Sequence, residues 1–170
     1  MIKPYSKDKK KVFISFVSAD AKLAKALRSF IIKKFKGKIG VYLPSRKMQL
    51  NQFSNAKLRT YLEKSHAVIA LMTANSLDQP WLYMDWKSQG LSGEGLYILQ
   101  TEELRLLRTD FKQPFESAVI NDTNSFTAFV RKFSGAFLGD DYPAPLDEVK
   151  LFRYQVARVM SEMADDKVRC

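Results

Sequence analysis

Within "PWLYMDWKSQGL", residues 80–91, a tryptophan and an aspartate fall four positions apart. Pro80 suits the first position of a helix, since it brings no amide hydrogen that needs an internal partner and its φ is already helical. On a helix that starts there, Trp81 and Asp85 lie one above the other on the same face. The spacing sets a carboxylate directly beside a large flat ring just after a loop, a pairing that could serve a ligand. Two quieter roles stay open: Trp81 as a core aromatic, and Asp85 as an acid favoured by the positive N-terminal end of its helix.

Alternating strands and helices position this pair. "KVFISF", 11–16, is a short apolar run suited to a strand buried on both faces. It leads into "SADAKLAKALRSFIIKKF", where Leu23, Leu27, Phe30 and Ile31 recur at helical spacing and Ser18 or Asp20 can cap the start. "IGVYL", 39–43, is a second strand; "PSRKMQLNQ" a polar, basic loop; "FSNAKLRTYLEKS" a helix with Leu58, Tyr61 and Leu62 inward. "HAVIALM", 66–72, is the clearest strand and precedes the loop "TANSLDQ" and the helix of Trp81. "LYILQ" and a short run within "PFESAVIND" supply strands four and five, and "NSFTAFVRKFSGAF" a helix with Phe126, Phe129, Val130 and Phe133 inward. After a proline-marked linker, Val149, Phe152, Val156 and Val159 or Met160 make an apolar stripe on a C-terminal helix expected to pack on the domain.

This order predicts an α/β fold, a flavodoxin-like open parallel five-stranded sheet with helices on both faces and an extra C-terminal helix. The divisions expected are a basic arm over 1–10, the α/β domain over 11–138, and the linker with its helix over 139–170. Ligands of such sheets sit outside the carboxyl ends of the strands. The loops at 16–20, 44–53 and 73–80 are therefore the ones that matter, and Asp85 follows the third.

Composition narrows the rest. At 170 residues, 46% hydrophobic and 27% charged, the chain has the make-up of one globular domain. Its one cysteine, Cys170, can form no internal disulfide and no cysteine metal cluster, which fits a reducing cytosol. "MIKPYSKDKKK" lacks the apolar run of a signal peptide, and no stretch approaches a membrane span, so a soluble, cytoplasmic protein without membrane contact is expected. A net charge of +10 suits an anionic partner such as nucleic acid. Many lysines, however, lie in "KDKKK" and "IIKKFKGK", where a solvated arm and a helix C-terminal end account for them.

Several chemistries drop out. Neither GxxxxGK[ST] nor GxGxxG is present, and no GxSxG elbow accompanies His66, the only histidine, whose place at the start of an apolar strand suggests a structural role. The positions where a receiver domain carries its acids read "FVS" and "MTA".

"KKVFISFVSADAKLAKAL" resembles the opening of a Toll/interleukin receptor (TIR) domain, whose first box is an apolar strand, Phe-Ile-Ser-Tyr, then a polar residue and an acid before the helix. "HAVIALMTANSLDQPWLYMDW" is similar to the later family segment: an alanine–valine strand, Ser-x-Asn-Ser/Tyr-Leu, then Trp followed four residues on by Glu. The resemblance spans roughly residues 10–135. "PSRKMQLNQ" lacks the Arg-Asp and Pro-Gly of the family's second box, and Asp85 stands where the enzymes carry their catalytic glutamate.

Many TIR domains cleave NAD at the nicotinamide–ribose bond, often in immune defence, while others only assemble with further TIR domains. The resemblance thus implies NAD as substrate, no bound cofactor or metal, self-association or TIR partners, and Asp85 as the catalytic carboxylate stabilising an oxocarbenium-like ribose. Trp81 and Phe16 are the implied pocket aromatics. Ser18, Asp20, Arg46 and Lys47 lie in loops at the same sheet edge, where the basic pair could meet the pyrophosphate. Phe16 has core packing as its alternative, and Arg46 and Lys47 simple solvation.

Overall fold

The computed structural model describes residues 10–44, 64–76, 95–107, 117–139 and 146–169. Five strands, β1 (Lys10–Ser15), β2 (Ile39–Tyr42), β3 (Ala67–Met72), β4 (Leu96–Gln100) and β5 (Ser117–Val119), pair in the order β2-β1-β3-β4-β5. All four pairings are parallel. This is the flavodoxin-like open sheet expected from the sequence. The helices among the described residues are α1 (Ala21–Lys34), α2 (Glu102–Leu107), α3 (Thr123–Leu138) and α4 (Leu146–Val168). The expected helices over 53–65 and 80–91 lie outside the described residues.

β3 is buried along its whole length, as a central parallel strand requires. Its side chains alternate between two cores. Ala67, Ile69 and Leu71 join Val12, Ile14 and Leu99 under α1, α3 and α4; Val68, Ala70 and Met72 join Phe13, Leu96 and Ile98 with Leu104 of α2. Helices thus cover both faces.

The first core is heavily aromatic. The Phe126 ring lies 4.7 Å from Phe152 and 5.3 Å from Phe30, and Phe133 packs 4.7 Å from Phe137 and 5.3 Å from Tyr97. The stripe of α4 enters the same core through Val149, Phe152 and Val156.

Local chemistry sets the helix ends. The Asp122 carboxylate accepts the amides of Asn124 and Ser125 at the start of α3, and Gly139, at φ 66, stops it in the left-handed region. Lys33 and Lys34 fall in the last turn of α1, where the dipole favours cations. α2 has no counterpart in the sequence reading; six residues are too few for an apolar stripe to stand out.

Candidate functional site

The strand order places β1 and β3 side by side, with chain connections leaving β1 toward β2 and β3 toward β4 on opposite sides. That reversal is the switch point at which a 2-1-3-4-5 sheet usually takes its ligand, outside the carboxyl ends of the two strands. Among the described residues each strand is followed by a 3-10 turn, Ser18–Asp20 after β1 and Ala74–Ser76 after β3.

A buried carboxylate joins the two turns. Asp20 has 0% relative exposure. The Thr73 hydroxyl donates to its Oδ2 at 2.7 Å, and the Asn75 side-chain amide donates to its Oδ1 at 2.7 Å. The second turn is tied internally: the Thr73 amide donates to Ser76 Oγ at 3.2 Å, the Asn75 amide to Thr73 Oγ1 at 3.0 Å, and the Ser76 amide to the Thr73 carbonyl at 2.9 Å. These bonds explain why a polar loop segment can bury Thr73 and Ser76 without leaving them unsatisfied.

Burial raises the Asp20 pKa above the ordinary carboxylate value, against the opposing pull of the bonds from Asn75 and Thr73 and of the Lys167 charge. The carboxylate is also diverted from the role expected of it. Asp20 holds the N-cap position of α1, yet its side chain makes no capping bond, because both oxygens face the β3 turn.

The other expected site residues divide. Ser18 is exposed at the start of the first turn. Phe16 is buried in the core beneath α1, the placement expected of a packing residue. Arg46, Lys47, Trp81 and Asp85 lie outside the described residues. His66 accepts the Lys11 amide on Nδ1 at 3.0 Å while its own amide donates to the Lys11 carbonyl, extending the β1–β3 pairing by one residue. That is a structural use.

Sequence reasoning named the 73–80 loop but not Thr73, Asn75 or Ser76 within it. The signal was there: "TANS" offers three side chains of the type that bind nearby backbone in turns. Lys167 had no such signal. It reaches Asn75 Oδ1 from α4, 92 positions away.

Among the described residues, no three of His, Cys, Asp and Glu gather closely enough to hold a metal ion. No helix among them is long and apolar enough to cross a membrane. Comparison with family models, with curated proteins and with solved structures gave no match.

Proposed function

We propose that the protein is a TIR-type enzyme that hydrolyses or cyclises NAD at the nicotinamide–ribose bond. The observation that carries this reading is the bonded junction between the turns. Two segments that separately resemble TIR boxes, one holding Asp20 and the other Thr73 and Asn75, meet at the switch point where this sheet order binds ligands. Distant similarities that converge on one ligand-binding position support a shared function more strongly than either does alone.

In this reading Asp85 supplies the carboxylate. As the bond from nicotinamide nitrogen to ribose breaks, its electron pair leaves with nicotinamide and the ribose becomes oxocarbenium-like. A carboxylate held near that centre lowers the barrier without a general acid, because nicotinamide leaves as a neutral molecule. Water then adds to give ADP-ribose, or an atom of the same molecule closes a ring. Trp81 stacks on the substrate, Arg46 and Lys47 meet the pyrophosphate, and Asp20 holds the two turns together. Self-assembly controls the activity, in a cytoplasmic defence pathway.

Consumption of NAD by the concentrated protein, with a crowding agent, tests this. Wild type should turn NAD over and Asp85→Ala should not; equal turnover in both would refute the role of Asp85. A second reading, a TIR assembly module without catalysis, is favoured by aspartate in the glutamate position and by the altered second box. It requires concentration-dependent association and no turnover, in Asp85→Glu as in wild type.

A further inference from the structure

The C-terminal helix is longer than its packing needs. Its buried residues are Val149, Phe152 and Val156, and Val159, Met160 and Met163 pack partly buried against the same core. From Ala164 onward every described residue is exposed. The final turn contributes no buried apolar surface, yet it makes two directed polar contacts. Asp166 pairs with Lys22 at 2.9 Å, at the start of α1, and the Lys167 ammonium donates to Asn75 Oδ1 in the turn after β3. At the other end of α4, Glu148 pairs with Lys34 at 2.6 Å, at the end of α1. α4 therefore runs antiparallel to α1 and delivers its last turn to the carboxyl-end side of the sheet, beside the turns after β1 and β3.

Asn75 is the link. Its carbonyl oxygen accepts from Lys167 while its amide nitrogen donates to Asp20, so a single side-chain amide couples an exposed cation to a buried carboxylate. Bound at both ends, the amide is fixed in one of its two flip states.

We propose that the last turn of α4 is part of the switch-point site, with Lys167 a positioning residue that acts through Asn75 to fix the Asp20 carboxylate and the turn after β3. The role holds whatever ligand binds at the switch point and goes beyond the NAD reading. The groups that face Asp20 are Thr73 and Asn75 from the β3 turn and the Lys167 charge from α4, with the Lys22–Asp166 pair bracing that last turn.

Carbon-detected NMR of the Asp20 carboxyl, with hydrogen exchange at the amides of Thr73, Asn75 and Ser76, tests the assignment in the full chain without any ligand. In Lys167→Met the Asp20 titration midpoint should move upward and the three amides should exchange faster, and Lys167→Arg should restore both. An unchanged midpoint and unchanged exchange in Lys167→Met would overturn the proposal. So would an equal loss in Lys167→Arg. Because Lys167 is exposed and outside the core, thermal unfolding should be nearly the same in all three proteins, which separates positioning from general destabilisation.

Discussion

The phenylalanine layer under α1, α3 and α4 and the polar junction at the ends of β1 and β3 lie on the same sheet and are held by opposite means. In the layer, Phe30, Phe126, Phe133 and Phe152 contribute area and ring contacts that tolerate small adjustments. At the junction, Asp20, Thr73 and Asn75 contribute bonds of defined direction around a carboxylate whose burial itself opposes ionisation. Stability should therefore reside in the layer and geometry at the junction. A protein that needed only to fold could build that junction from apolar side chains.

The contrast can be broken most forcefully from the apolar side. Phe126→Ala empties a fully buried ring position and should cost about 3–5 kcal/mol by urea denaturation. The NMR signals of Thr73 and Asn75 in the remaining folded protein should stay in place. If they moved as far as those of Phe152, the two regions would not be separable.

At the junction, Asp20→Ala leaves the Thr73 hydroxyl and the Asn75 amide without their acceptor and should cost about 1–3 kcal/mol in the same measurement. A cost as large as that of Phe126→Ala would erase the distinction. Asp122→Ala offers a calibration away from both regions, since it removes only the cap of α3, and about 1 kcal/mol is expected.

The smallest and most diagnostic change is Asp20→Asn, which keeps the shape and removes the ionisation. Because the folded pKa of Asp20 is raised, the wild type binds this proton more tightly folded than unfolded. Its stability contribution is therefore fully present below the ordinary carboxylate pKa and is lost as pH rises through the raised value. Wild type should lose stability relative to Asp20→Asn across that interval and run parallel to it above. Parallel curves throughout, from urea titrations at a series of pH values, would mean that burial does not perturb this group.

The sheet was legible because its strands are short apolar runs of the right length, and "HAVIALM" and "LYILQ" coincide with β3 and β4 to within a residue. The inward phenylalanines of α3 and the stripe of α4 were legible from helical spacing, since burial on one face imposes that spacing directly. The junction was only half legible. A loop aspartate before a helix looks like a cap, and nothing local to Asp20 reveals that Thr73 and Asn75, more than fifty positions away, compete for its oxygens. Lys167 was least legible, because one lysine among the 28 Lys and Arg residues carries no mark of the contact it makes.

The most direct test of the switch point as the ligand site is amide chemical-shift mapping with NAD on the Asp85→Ala protein, in which the substrate should survive. Saturable shifts should cluster at residues 16–20 and 73–76 and reach Lys167, while the opposite strand ends at Lys10, His66 and Gly95 stay silent. No shift at millimolar NAD, or shifts centred on those opposite ends, would contradict it.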